Sequence, residues 1–217
     1  MSKIILSDEF ETKLGTIKTW LESDSSNDSV FINKDSSLIA NSHKIILQKF
    51  EVSNDWLKPH HNCESSRGWR WFIEKINDED ENLTLFCELI DSQSDFSKDY
   101  ASGEWLDAIE LENKTHHLYI GTEDGEIMRS RAINKDFMPQ RLEKMLGNDS
   151  KNYSFTEYTD FGYKTNIPRL LKDEKIYFHF LVATNPIKID PDNHSYRDLS
   201  PWFAVDWVKS TLDKYLA

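Results

Sequence analysis

Cysteine, glycine and proline are all scarce in this chain, and each shortage removes a class of protein. Two cysteines in 217 residues, Cys63 and Cys87, cannot build a disulfide framework, which points to a reducing, cytoplasmic setting. Seven glycines and six prolines leave no low-complexity tract, collagen-like repeat or flexible linker. No stretch approaches the roughly 18 apolar residues that span a bilayer. The opening MSKIILSDEFETK has only Ile4, Ile5 and Leu6 ahead of Ser7 and Asp8, unlike a signal peptide, so no membrane role is expected. A glycine-rich phosphate loop, a G-x-S-x-G elbow, H-E-x-x-H and C-x-x-C are also missing, so no catalytic residue, cofactor or metal site is assigned by motif.

Aromatic residues, by contrast, are plentiful. Seven Trp, eight Tyr and twelve Phe bury large areas from few positions, and the length suffices for a core without staples. The expectation is one domain over 1–217. Its centre is Glu174 to Thr184, EKIYFHFLVAT, a short aromatic and β-branched run that fits a strand buried on both faces. His179 is its only strongly polar member.

Negative charge is concentrated in one place. Between Asp78 and Glu112 there are twelve acids (Asp78, Glu79, Asp80, Glu81, Glu88, Asp91, Asp95, Asp99, Glu104, Asp107, Glu110 and Glu112) against one base, Lys98. That stretch carries −11 of the chain's net −12. Such a face repels nucleic acid and anionic lipid and steers a cationic partner toward itself.

Taken in order, Ser7, Phe10, Leu14, Ile17 and Leu21 predict an amphipathic helix, and Ser23 to Ser29 a loop. Val30 to Ile32 and Lys44 to Val52 follow as strands, and Ser53 to Arg67 as a long loop. Alternation in Gly68 to Glu74 and in Leu83 to Ile90 predicts a hairpin across Asn77 to Asn82. After a loop over Asp91 to Gly103, strands at Glu104 to Glu112, His116 to Gly121 and Ile127 to Ile133 make a meander. In the first of these, Trp105, Ile109 and Leu111 point one way while Glu104, Glu110 and Glu112 point the other. Asp136 with Pro139 opens a helix ending at Gly147, Tyr153 to Tyr158 is a strand, and Ser200-Pro201 opens a C-terminal helix. The sum is an α+β domain with a largely antiparallel, twisted sheet and a few packed helices.

Four groups bear on chemistry. His60, His61 and Cys63 lack the second ligand pair of a structural zinc site. Asp190 to His194 lacks the glycine and distal glutamate of a calcium loop. His179 and Tyr177, with Trp202, would line a pocket over the sheet if Glu157 or Asp206 oriented the imidazole. Asp107 falls on the inward face, where an ionised carboxylate needs a partner, Arg129 or Arg131.

In size, acidity and lack of catalytic signatures the chain is similar in general character to bacterial immunity proteins, which cover the active surface of a toxin. The resemblance implies an inhibitor that binds a basic protein. The acidic strand supplies its expected contacts: Asp99, Tyr100, Glu104, Trp105, Glu110 and Glu112. A pocket enzyme or ligand binder and an adaptor within a larger assembly are the alternatives.

Overall fold

Alternating burial runs through most of the chain, and in the computed structural model it resolves into strands. The structure describes residues 2–25, 30–33, 37–40, 42–51, 63–91, 95–102, 106–146, 154–189 and 195–196. The strands are β1 (Lys3–Thr12), β2 (Gly15–Ser23), β3 (Val30–Asn33), β4 (Ser37–Ala40), β5 (His43–Phe50), β6 (Ser65–Lys75), β7 (Leu83–Ile90), β8 (Ser97–Ser102), β9 (Asp107–Glu112) and β10 (His116–Thr122). Helix α1 (Gly125–Asn134) and a 3-10 helix (Gln140–Met145) follow, then β11 (Thr156–Tyr158), β12 (Gly162–Asn166), β13 (Lys175–Pro186), β14 (Lys188–Ile189) and β15 (Ser195–Tyr196). Five strands form one sheet in the order β1-β2-β7-β12-β11, and eight form another in the order β3-β4-β5-β6-β13-β10-β9-β8. The strands β14 and β15 pair only with each other. All ladders are antiparallel.

The two large sheets pack face to face. Ile17 and Leu21 of β2, Leu85 and Cys87 of β7, Trp69, Trp71 and Ile73 of β6, and Phe178 and Phe180 of β13 share one core. Polar ties cross it: the Trp71 indole donates to Thr19 Oγ1 at 3.0 Å, and Thr19 donates onward to the Phe86 carbonyl at 2.8 Å. The Trp69 indole reaches Asp8 Oδ2 at 2.7 Å. Each buried N–H is thereby satisfied while its ring fills the core. The expected central strand is β13, held between β6 and β10 and buried from Ile176 to Asn185.

Several expected elements differ. The N-terminal helix is the β1-β2 hairpin, because Ile17 and Leu21, four apart, share a face in either period, and Thr19 and Ser23 between and beyond them are buried too. Gly15, with φ +143, makes the turn, where Thr12 Oγ1 donates to its carbonyl. Strands β6 and β7 exist but are not a hairpin; they lie in opposite sheets and face each other across the core. The meander is β8-β9-β10, one strand earlier than expected, and it claims part of the expected loop at Asp91 to Gly103. Ile127 to Ile133 is helical. Asp124 caps it by accepting from the Ile127 amide at 2.7 Å, and Met128, Arg131 and Ala132 are buried at helical spacing. The helix expected after Asp136 is the shorter 3-10 turn, with Leu142 buried. Antiparallel sheet thus dominates as expected, with one α-helix and one 3-10 helix among the described residues rather than several packed helices. The expected C-terminal helix lies outside the described residues.

A buried polar knot links the ends of both sheets. Glu81 Oε1 accepts from Ser23 of β2, while Oε2 accepts from Ser42 Oγ at 2.9 Å and lies 3.1 Å from His43 Nδ1. Lys75 Nζ donates to Ser42 Oγ at 3.0 Å and to the Glu79 carbonyl. Burial pushes the Glu81 carboxyl up, but its bonds from His43, Ser23 and Ser42 outweigh this and hold it below the usual range. Its stabilisation is therefore present above the unfolded-state value near pH 4.3 and is lost as pH falls through the lowered folded one. Glu81→Gln should lower stability by about 1–3 kcal/mol at neutral pH. Urea melts of both proteins should converge as the solution is acidified below about pH 4; a gap that is constant with pH would refute the role of the charge.

Candidate functional site

The last part of the acidic segment, strands β8 and β9, forms one end of the larger sheet, and the turn after β9 sets the geometry there. Asn113 Oδ1 accepts from the Thr115 and His116 amides, both at 2.8 Å, and from the Thr115 hydroxyl at 3.0 Å. That turn fixes the β9-β10 register, placing His117 opposite Glu112 and Tyr119 opposite Glu110. On the other side Asp99 of β8 faces Glu110, and Tyr100 faces Ile109.

Strand alternation then divides the segment into two surfaces. On the outer face, Glu110, Glu112 and His117 converge, with one donor atom from each within 4.8 Å of the others. Glu110 is only 3% exposed and His117 1%, while Glu112 is half-buried. The outward acid face expected from alternation is there, but it is covered at Glu110. A solvated contact role is left to the exposed residues. The pairing with His117 is legible in Glu110-Leu-Glu-Asn-Lys-Thr-His-His117, two acids and a histidine flanking a tight turn.

The second surface is the open mouth between the sheets, where their edge strands β8 and β11 meet. Tyr100 and Tyr158 are 51% and 45% exposed, and their rings touch edge-on at 4.8 Å. Tyr158 also lies 5.1 Å from Tyr163, whose hydroxyl donates to the Asp107 carbonyl at 3.1 Å. Burial, reinforced by the Asp107 charge and to a smaller extent by Tyr100 and Asp124, pushes the Tyr158 hydroxyl up to about 12. Asp107, Asp124 and Asp160 make the mouth acidic. Lys98 sits against it, 5.5 Å from the Tyr100 ring centre and 3.9 Å from Asp160. Exposed Phe161 follows Asp160 in the turn to β12.

Asp107 does not pair with either expected arginine. Arg129 lies 3.5 Å from Glu143. Arg131 is buried, paired to Glu123, and donates to the backbone carbonyls of Tyr177, Asp136 and Phe137. Helix α1 turned these side chains away from the place a strand would have given them. Arg131 also stacks 3.5 Å from the Tyr177 ring centre, with Arg70 at 4.2 Å. Tyr177 and His179 are buried, and neither lines the cavity of about 560 Å3 at Lys135–Arg141, Glu174 and Lys175 nor the one of about 220 Å3 beside His43, Lys75 and Arg169. Glu104, Trp105, Trp202, His60, His61 and the stretch from Asp190 to His194 lie outside the described residues. Cys63 and Cys87 are both buried and form no disulfide. Among the described residues no helix is long and apolar enough to cross a membrane.

Comparisons of the chain with protein-family models, with curated proteins and with solved structures found no match.

Asp107 gives the site a pH signature opposite to that of Glu81. Burial raises its carboxyl, the Ser102 hydrogen bond opposes this, and Asp124 and Glu126 add to the rise. A raised folded-state value means the stabilising contribution is full below the unfolded-state range and is lost as pH rises through the folded one. Asp107→Asn should therefore raise stability at neutral pH, by about 0.5 kcal/mol given its partial exposure. Thermal melts at neutral pH and near pH 3.5 test this: the gain should vanish in acid, and a loss at neutral pH would contradict it.

Proposed function

We propose that this chain is a protein-binding inhibitor that neutralises a basic partner, in the manner of a toxin-immunity protein, with the β8-β11 mouth as its contact surface. The observation that supports it is the meeting of two exposed aromatic rings, Tyr100 and Tyr158, with the carboxylates of Asp107, Asp124 and Asp160. Exposed aromatics serve as anchors, and a one-sign field speeds and orients the encounter. Lys98, seated over Tyr100 beside Asp160, occupies the kind of position a partner's lysine or arginine would take. Two cysteines that form no disulfide fit a cytoplasmic protein, and the acidic balance argues against nucleic acid and membrane surfaces. The reading treats residues 1–217 as one α+β domain that includes the helix expected after Ser200-Pro201. The ligand-binder alternative moves from His179 and Tyr177 to the 560 Å3 cavity beside Phe137 and Arg141.

The test is a double variant, Tyr100→Ala, Asp160→Lys, both at exposed positions where the fold tolerates change. Affinity capture with the tagged chain at low salt should retain a basic protein that the variant binds at least about 30-fold more weakly, the loss of one strong anchor. High salt should weaken the wild-type interaction. Equal retention by the variant would remove this surface from the function.

A further inference from the structure

The Glu110, Glu112 and His117 cluster has the composition and spacing of a metal site, and it is separate from the β8-β11 mouth. Residues two apart on β9 share a face, and the Asn113 turn brings His117 of β10 across from Glu112 and diagonal to Glu110. The three donor atoms lie within 4.8 Å of one another, with His117 Nδ1 4.0 Å from Glu110 Oε1. Ligands held at about 2.1 Å by one ion sit roughly 3–3.5 Å apart, so closure asks for side-chain rotation of about an ångström and leaves the ladder intact. Two carboxylates converging beside a buried imidazole repel each other, and a divalent cation would convert that repulsion into attraction. The Tyr119 ring, 5.9 Å from the imidazole, and Asn185, opposite His117, bound the site along the sheet.

We propose that Glu110, Glu112 and His117 bind a first-row divalent transition metal, with two carboxylate oxygens and one imidazole nitrogen as protein ligands. An imidazole in the set favours zinc, cobalt or manganese over calcium and magnesium, which take oxygen ligands throughout. Three protein ligands leave further positions on the ion for water or a partner's group.

The experiment uses the full chain, stripped with a chelator and titrated with Zn2+, Co2+, Mn2+ and Ca2+ by calorimetry. One equivalent of Zn2+ or Co2+ should bind and raise the melting temperature, and Ca2+ should bind at least about tenfold more weakly. Cobalt should give visible absorption bands characteristic of mixed nitrogen and oxygen ligation. Glu112→Gln, at the half-buried position, preserves side-chain volume and should weaken Zn2+ binding by about 10- to 100-fold; His117→Gln should do the same and change the cobalt spectrum. Affinity should fall in acid, because the ligand atoms must be deprotonated to bind the ion. Absence of binding by the wild type would overturn the site, and so would Zn2+ affinity and a cobalt spectrum unaltered in both variants. Melting curves of the stripped variants separate a lost ligand from a lost fold. Neither outcome bears on the double variant of the β8-β11 mouth, which shares no residue with this cluster.

Discussion

A strand buried on both faces must satisfy its whole backbone without water, and β13 imposes that requirement on the rest of the molecule. From Ile176 to Asn185 no side chain meets solvent appreciably; β6 flanks the strand from Lys175 to Thr184 and β10 from Leu181 to Pro186, and beyond β10 side chains take over, with Thr122 Oγ1 donating to the His179 carbonyl at 2.9 Å. Its inner face, with Phe178 and Phe180, demands a second sheet to cover it, which β2, β7 and β12 provide. Its outer face carries Tyr177 and His179, polar groups that an apolar layer could not bury cheaply. Helix α1 meets part of that demand through Arg131, whose guanidinium stacks on the Tyr177 ring and donates to the Tyr177 carbonyl. Removing Arg131 would take a buried partner from Glu123 as well, a change that costs about 3–5 kcal/mol in comparable buried pairs.

The acidic segment is not one surface. Its described carboxylates are divided by burial. Glu81 ties Ser23, Ser42 and His43 together inside the molecule. Glu110 is enclosed beside His117 on the outer face of the larger sheet. Asp78, Glu79, Asp80, Asp91, Asp95 and Asp99 remain exposed, with Asp107 half-buried. Counting charges along the chain therefore overstates the field on the surface, and it says nothing of Asp124, Glu157 and Asp160, which later elements bring to the same edge.

Strand existence was legible where alternation was unambiguous, as in Trp69 to Ile73 and Leu83 to Leu89. Partners were not, because two strands that face each other across a core carry the same pattern as two that pair in a hairpin. The β1-β2 region misled through Ile17 and Leu21, whose spacing of four suits both periods; Thr19 and Ser23, buried but polar, hid the strand. Asp124-Gly125 resembled a hairpin turn, whereas the aspartate is a helix cap. Tyr158 and Tyr163 were beyond reach, since they lie in the other sheet and meet Tyr100 and Asp107 only when the sandwich closes. His117 was within reach of the turn pattern, but the burial that draws it to Glu110 is a property of layers and not of spacing.

The central claim is that the mouth between β8 and β11 is where a basic partner binds. Replacing Tyr100 with a photo-crosslinking phenylalanine analogue in living cells tests it most directly, with Leu171, an equally exposed apolar position outside the acidic edge, as the reference site. The account predicts a covalent adduct to one basic protein from position 100 and none to that protein from position 171. No adduct from position 100, or the same set of adducts from both positions, would contradict it.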